Sequence, residues 1–87
     1  VLGFNYRMDG VQGAMLRVKL RHLAAWTRSR QSRAAIYNEL LQGVSEVIVP
    51  ARRPECGHVY HIYALRSRHR DALRAHLESA GIQSALH

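Results

Sequence analysis

The feature that most constrains how this chain can fold is a long stretch without proline, Met8–Leu41, that favours helix throughout. As one straight helix it would be about 50 Å long, which is roughly twice the dimension that a compact chain of this length covers. We therefore predict a bent helical segment over residues 9–42, with a bend or break near Arg21–Ala25 and with Gly43 as its C′ residue. The break is placed there because one set of apolar residues at helical spacing ends and another begins. The first set is Val11, Met15, Leu16, Val18, Leu20 and Leu23, and the second is Ala34, Ile36, Tyr37, Leu40 and Leu41.

Two segments after this helix have the composition of β-strands. Val44–Val49 is rich in branched residues and stops at Pro50, which cannot donate to a neighbouring strand. The run His58–Arg66 carries apolar side chains on both of its faces, as a central strand does. The connection between them, residues 51–57, combines proline, glycine and charge, so we expect an exposed loop that holds Cys56 as an inert thiol.

A second helix is predicted over Arg68–Ala80, where leucines recur at helical spacing. Ser67 is its expected N-cap, and Gly81 is its expected left-handed C′ residue. Ile82–Leu86 then has the composition of one more strand. Residues 44–87 therefore predict the order strand, strand, helix, strand. The whole chain predicts a single α+β domain in which helices cover one side of a small sheet.

The charge of the chain raises the question of a nucleic-acid partner. Its formal net charge is +7, but all of its cations except Lys19 are arginines spread from Arg7 to Arg74. Only the run Thr27–Arg33 clusters them, and it lacks interleaved aromatic residues on which bases could stack. We therefore rank a solvated helix face above a nucleic-acid-binding surface, which stays as an alternative function.

The length and the cysteine content of the chain indicate how stable it is alone and where it is located. A chain of 87 residues buries only somewhat more than about 60% of its unfolded surface, so its independent stability is expected to be marginal. We expect neither a membrane span nor a signal peptide, because no apolar run has the required length. The single cysteine, Cys56, has no disulfide partner, so a cytoplasmic location is expected. Because the chain starts at Val1 and stops at His87 early in a predicted strand, we expect a segment of a longer protein.

The stretch Gly3–Leu20 places polar side chains directly before the long helix. Asp9 is the expected N-cap, because its carboxylate can accept from unpaired N–H groups of the first turn and suits the positive end of the helix dipole. Asn5 and Arg7 lie in the turn over residues 1–8 that leads into the helix. Such a position favours anions such as phosphate, and Arg7 adds a cation with forked donors. The alternative is an ordinary capped surface turn.

Several motifs occur along the chain in an order that is typical of one enzyme family. The first is Gly-x-Asn-x-Arg-Met-Asp at residues 3–9, and Gln12, Ala14 and a Leu-x-x-Lys-Leu run follow it. Together with the later segments, it resembles the DegT/StrS family of pyridoxal-phosphate-dependent sugar aminotransferases. Each motif is weak alone, but together they cover nearly the whole chain. The later segments are Arg33–Leu41, His58–Arg66, Arg70–Leu77 and Gly81-Ile82 leading to His87.

The resemblance implies a fold, a cofactor and partners. The chain would be the small carboxy-terminal domain of a fold-type-I aminotransferase, which uses pyridoxal phosphate to move an amino group, typically from glutamate, to a keto-sugar nucleotide. The intact protein would be a homodimer that pairs through the Gly3–Leu20 region. Asn5 would reach the cofactor phosphate of the partner subunit, Arg7 would bind anionic groups of cofactor or substrate there, and His87 would lie near the substrate. A catalytically silent or regulatory homologue that keeps the fold and the dimer is the alternative.

The resemblance also implies that the chemistry lies outside this chain. A pyridoxal-phosphate enzyme needs a lysine that binds the cofactor as a Schiff base, and the family has that lysine upstream of the motif with Asn5 and Arg7. Lys19 is the only lysine here and fills a structural position, so we expect no catalytic residue and no activity from this chain alone.

Gly10 and Gly13 depart from the family, which usually has Glu and Ala there. Divergence is the simpler interpretation, and close approach of a neighbouring helix or subunit is the alternative.

Cys56, His58 and His61 deserve comparison with a zinc site. Residues three apart on a strand point to opposite faces, and structural zinc needs four ligands where only three are clustered. We therefore expect no metal site. Both histidines are expected to be partly buried and hydrogen-bonded, one of them beside the active-site cleft of the intact protein.

Overall fold

Two helices and a small sheet form the chain in the order helix, strand, strand, helix. The computed structural model describes residues 2–87. Helix α1 spans Gly10–Leu40 and helix α2 spans Arg70–Ser79, while strand β1 is Val47–Ile48 and strand β2 is Arg66–Ser67. This content agrees with the predicted α+β class. Neither helix combines the length and the apolar character that a membrane-crossing segment of residues 2–87 would need.

Helix α1 is continuous, which corrects the predicted break near Arg21–Ala25. It contains 31 residues, so its length is about 46 Å, close to the longest dimension of the molecule, 47 Å. The prediction was wrong because it assumed a compact chain. The radius of gyration is 17.6 Å, whereas a compact chain of this length has a value of about 12 Å. The helix therefore extends beyond the rest of the chain instead of folding back on it.

The two ends of α1 are set by different kinds of residue. Asp9 is the N-cap, as predicted: its Oδ1 accepts from the Gln12 N–H at 2.7 Å, and the Gln12 Oε1 accepts from the Asp9 N–H at 3.2 Å. This reciprocal pair is a capping box. At the other end Leu41 is the C-cap. The C′ position is therefore Gln42, and Gly43, whose φ is 82°, lies one residue beyond it, which corrects the prediction that Gly43 is C′.

The sheet is smaller than the sequence predicts. Strands β1 and β2 pair antiparallel over two residues each. Most of the predicted strands Val44–Val49 and His58–Arg66 lies outside the sheet, and Ile82–Leu86 forms no strand. The physical reason is that branched and aromatic residues favour a strand only where a neighbouring strand pairs with them. The paired residues are Val47 with Ser67 and Ile48 with Arg66.

Helix α2 begins two residues later than predicted, at Arg70. Ser67 is not its N-cap, because the N-cap position belongs to His69. The Ser67 Oγ instead accepts from the His69 N–H at 3.1 Å in the turn before the helix. The serine thus orders the approach to the helix and leaves the first turn of α2 without a side-chain cap.

The end of α2 agrees with the prediction for Gly81, whose φ is 76°. Its N–H donates to the carbonyl of Glu78 at 2.9 Å, and the N–H of Ile82 donates to the carbonyl of Leu77 at 2.8 Å. This pair of bonds is a Schellman motif, which needs a left-handed residue at this position. Glycine supplies that conformation without the steric cost of a Cβ.

The core lies where residues 58–63 pack across the C-terminal half of α1. Ala34 is 3% exposed and Tyr60 is 8% exposed, and they are the buried apolar residues of the part of the chain that the structure describes. The ring of Tyr63 contacts the rings of Tyr37 and Tyr60, at centroid distances of 5.2 and 6.0 Å. Most of the predicted strand His58–Arg66 is therefore an irregular segment that aromatic side chains hold against a helix.

Candidate functional site

Asn5 and Arg7 lie in the chain that leads into α1, and both side chains are exposed. Within residues 2–87, neither side chain forms a hydrogen bond or an ion pair. An amide and a guanidinium without intramolecular partners can both donate to an anion, and neither needs to titrate to do so. These two residues are therefore free to bind a group from outside the chain.

The capping box uses part of the anion-binding capacity of the helix start. The Asp9 carboxylate already accepts from the Gln12 N–H, and it brings its own negative charge to the positive end of the helix dipole. The N–H groups of Gly10 and Val11 have no acceptor among the described residues. The donors present are thus an amide, a guanidinium and two backbone N–H groups. Donors of these kinds before a helix are typical of positions that bind anions.

Apolar side chains surround these polar ones. Phe4 and Tyr6 alternate with Asn5 and Arg7, and their rings lie 5.9 Å apart. They are 88% and 90% exposed, and large apolar side chains remain exposed along the first half of α1. Exposed large apolar side chains in such number are typical of a protein interface. The exposed residues on this part of α1 are Val11, Met15, Leu16, Val18, Leu20 and Leu23.

His87 lies in a different part of the molecule. It lines a cleft of about 340 Å³ between α2 and the chain on both sides of it, and Asn5 and Arg7 do not line that cleft. The structure therefore does not bring the three predicted site residues together. The cleft combines an apolar wall with positive charge, although one of its arginines, Arg70, is paired with Asp71 at 2.8 Å and lowers the pKa of that carboxyl. The arginines along the cleft are Arg66, Arg70 and Arg74.

The basic residues of α1 differ in how free they are. Lys19 is exposed and, within the described residues, forms no ion pair. In the cluster Thr27–Arg33, the Arg30 Nη2 donates to the Thr27 Oγ1 at 3.0 Å and the Arg30 Nε donates to the carbonyl of Val59 at 3.0 Å. Arg30 therefore attaches residue 59 to the helix, and two of its N–H donors are no longer free to contact a nucleic acid.

Cys56, His58 and His61 have three different environments. Cys56 is an exposed free thiol, as predicted. His58 is half-buried and its Nδ1 accepts from the Tyr60 N–H at 2.9 Å, whereas His61 is exposed, which corrects the expectation that both are partly buried. Neither histidine is in a strand, so the two side chains are not placed on opposite faces of a strand as expected. Across residues 2–87, no group of three or more His, Cys, Asp or Glu side chains could hold a metal ion.

The tyrosine cluster, which consists of Tyr37, Tyr60 and Tyr63, was not predicted from the sequence. The Tyr63 hydroxyl donates to the Asn38 Oδ1. Burial, followed by the neighbouring Tyr60 and Tyr37, raises the pKa of Tyr63. The available signal was that tyrosines occur both in α1 and in residues 58–66, but apolar side chains on both faces of residues 58–66 favoured a central strand instead. The cluster lines an open pocket of about 120 Å³ together with Arg30, Arg33 and Ala34.

Comparison with known families gives a match over the whole chain. The sequence model of the DegT/DnrJ/EryC1/StrS aminotransferase family matches residues 1–87. This match confirms the resemblance that the motifs from Gly3 to His87 indicated.

Comparison with individual proteins shows that this chain is similar to a part of several longer proteins. The erythromycin biosynthesis sensory transduction protein EryC1 of Saccharopolyspora erythraea is 40% identical over 87 residues, which are 100% of this chain and 24% of that protein. The dTDP-3-amino-3,4,6-trideoxy-alpha-D-glucose transaminase of Streptomyces venezuelae is 38% identical over 85 residues, 98% of this chain and 22% of that protein. The pleiotropic regulatory protein of Geobacillus stearothermophilus is 39% identical over 89 residues, 100% of this chain and 24% of that protein. The chain thus spans about a quarter of the length of these curated relatives.

Proposed function

Because this chain belongs to the DegT/DnrJ/EryC1/StrS aminotransferase family, we propose that it is the carboxy-terminal part of a pyridoxal-phosphate-dependent enzyme. The intact enzyme transfers an amino group, with glutamate as the donor, to a keto-sugar nucleotide. The family match along the whole chain carries this proposal, and the name of one relative, a transaminase of a dTDP-linked sugar, supports the substrate class. The cofactor, when bound, supplies the electron sink for this chemistry. It is held mainly by residues outside this chain.

Asn5 and Arg7 are this chain's contribution to the cofactor site. In the proposed homodimer they extend from one subunit and donate to the cofactor phosphate that the other subunit holds. Two observations support this arrangement: both side chains are exposed without intramolecular partners among residues 2–87, and no lysine lies near them in the sequence except Lys19, which is on α1. Arg7 also binds anionic groups of the substrate, and His87 lies close to the substrate from its cleft.

The homodimer forms through the Gly3–Leu20 region. The exposed apolar side chains of this region support that interface, because a protein that left them in water would lose the favourable free energy of burying them. A stable interface of ordinary size buries about 800 Å² per partner, which a helix of this length with a preceding extended segment can supply. We place the intact enzyme in the cytoplasm.

A regulatory homologue is the second candidate. The names of two relatives, a sensory transduction protein and a pleiotropic regulatory protein, favour it. In that case, the fold and the dimer remain while amino transfer is lost. Nucleic-acid binding receives less support, since Arg30 in the basic cluster of α1 is engaged with Thr27 and Val59.

The test is an assay of the intact protein with its cofactor. Purified protein is loaded with pyridoxal phosphate, its absorbance is recorded, and glutamate is supplied together with a panel of dTDP-linked and other nucleotide-linked keto-sugars. The enzyme proposal predicts bound cofactor and glutamate-dependent formation of an amino sugar. Loaded, dimeric protein that converts none of the sugars would favour the regulatory homologue. Protein that binds no cofactor and binds DNA with a steep salt dependence would favour the nucleic-acid alternative.

A further inference from the structure

The segment that carries Tyr60 is attached to α1 through its backbone. The Arg30 Nε donates to the carbonyl of Val59 at 3.0 Å, and the Gln31 Nε2 donates to the carbonyl of His58 at 2.9 Å. Both donors are side chains of α1, and both acceptors precede Tyr60 directly. The buried ring of Tyr60 completes the attachment. The position of this segment on the helix thus depends on the conformation of a few consecutive residues.

That conformation is unusual at Tyr60. Its φ is 49°, which lies in the left-handed region that residues with a Cβ seldom adopt. The Tyr60 N–H donates to the His58 Nδ1 at 2.9 Å, and the two rings lie 4.2 Å apart between centroids. The imidazole therefore satisfies a backbone group that, within residues 2–87, has no other acceptor. The hydrogen bond and the ring contact offset the backbone strain.

The hydrogen bond requires one protonation state of His58. Nδ1 can accept only when it carries no proton, so the imidazole is neutral with its proton on Nε2. When the ring takes up a second proton, Nδ1 becomes a donor that faces the Tyr60 N–H, and the bond is lost. Protonation of the imidazole therefore removes one of the contacts that hold the segment on α1.

The surrounding charges do not favour a protonated imidazole. From α1, the guanidinium of Arg30 donates to the carbonyl of Val59, the residue after His58. Arg33, also on α1, lines the same pocket as Tyr60. On its own segment, Glu55 and His61 are exposed. No carboxylate among the described residues forms an ion pair with His58.

We infer that His58 is a pH-dependent latch: the neutral ring holds residues 58–63 on α1, and uptake of a proton releases them. The released form binds one proton more than the docked form, so the released fraction rises as pH falls. The rise reaches up to about tenfold per pH unit. Because Ile62 and Tyr63 also line the cleft that contains His87, release changes one wall of that cleft.

The test is hydrogen exchange of the peptide that covers residues 58–63, measured by mass spectrometry on the intact protein at pH 7.5 and at pH 5.5. After correction for the chemical pH dependence of amide exchange, the latch predicts that protection falls by up to about tenfold at the lower pH. His58→Asn keeps an acceptor that reaches the N–H two residues on, as in an Asx turn, and does not titrate. That variant is expected to keep its protection at both pH values. His61→Asn, which changes an exposed histidine of the same segment, is expected to behave as the wild type does.

Three results would overturn the latch. The first is wild-type protection that does not change between the two pH values. The second is a loss of protection at low pH in His58→Asn that equals the wild-type loss. The third concerns the wild type alone and does not depend on how the variant folds. In protein labelled with nitrogen-15 histidine, the neutral His58 ring is expected to carry its proton on Nε2, and a proton on Nδ1 at pH 7.5 would contradict the hydrogen bond.

Discussion

The amide of Asn5 and the guanidinium of Arg7 can be tested separately in the intact enzyme. Asn5→Ala is expected to weaken cofactor retention by about 1–3 kcal/mol, because it removes a hydrogen bond to a charged group. Arg7→Ala is expected to weaken phosphate or nucleotide-sugar binding at least as much, since it also removes a charge. Equilibrium dialysis against free cofactor and sugar nucleotide measures both effects. Arg28→Ala, which removes an exposed arginine from the other half of α1, is the control. Unchanged binding in both variants would remove these residues from the site.

The hydroxyl of Tyr63 gives a prediction about stability. Tyr63→Phe keeps the ring in the tyrosine cluster and removes the hydrogen bond to Asn38, so it is expected to lower the free energy of unfolding by about 0.5–1.5 kcal/mol. Tyr6→Phe is the control, because Tyr6 is exposed and far along the chain from the core. Urea unfolding of each variant measures the difference. Equal losses in the two variants would contradict the assigned hydrogen bond.

The same tyrosine also makes stability depend on alkaline pH. Burial first, and then Tyr60 and Tyr37, raise the pKa of Tyr63 in the folded state. The folded state therefore holds this proton to higher pH than the unfolded state does. Its contribution to stability is full below the unfolded pKa, near about 10, and is lost as pH rises through the folded pKa. Unfolding experiments across this range are expected to show a loss in the wild type that Tyr63→Phe reduces.

Single residues were predictable where their roles depend on near neighbours in sequence. Asp9 was predicted as the N-cap because a carboxylate before a helix accepts from N–H groups a few residues away, and the structure has that bond to Gln12. Tyr60 was not predictable, because its left-handed conformation depends on contacts with His58 and with a helix far away in sequence.

The end of helix α2 gives a prediction about a whole element. Gly81→Ala places a Cβ on a residue whose φ is 76°, and this conformation is expected to cost about 1–2 kcal/mol. Gly57→Ala is the matched control, since its φ lies outside the left-handed range and no atom lies within 4 Å of the added Cβ. The control is expected to change stability by less than about 0.5 kcal/mol. Urea unfolding separates the two, and a neutral Gly81→Ala would contradict the Schellman motif.

Elements were predictable to the extent that their bonds are local. Helix α1 and helix α2 were both located, because each bonds within its own turns. The strands were mostly not located correctly, since a strand forms hydrogen bonds with a partner strand. The pattern of residues 44–49 or 58–66 cannot identify that partner. No contact within this chain explains why residues 10 and 13, early in α1, are glycines. A Cβ at Gly10 would meet no atom within 4 Å, and a Cβ at Gly13 would meet only the Met8 Cε, at an ordinary 3.7 Å. Close approach of a second subunit there stays a prediction.

The extended shape of the molecule predicts that the chain associates with itself. Its apolar residues on the first half of α1 are exposed, and water disfavours such a surface. In sedimentation experiments on this 87-residue chain, we expect dimers or larger species that increase with concentration. Val18→Glu is expected to shift the chain toward monomer, while Ile36→Glu is the control. The two residues are 56% and 55% exposed on the same helix. A monodisperse monomer of the wild type at all concentrations would contradict the prediction.

The most direct measurement of the proposed role of this chain is activity after subunits are mixed. One intact subunit lacks the cofactor-binding lysine, and the other carries Asn5→Ala and Arg7→Ala. Each homodimer is expected to be inactive or strongly impaired. If the two residues act across the interface, the mixed dimer contains one complete site, made of the lysine of one subunit and the Asn5 and Arg7 of the other, and amino transfer to the keto-sugar nucleotide returns. Mixed dimers that form and stay inactive would place both residues in their own subunit's site and contradict the proposal.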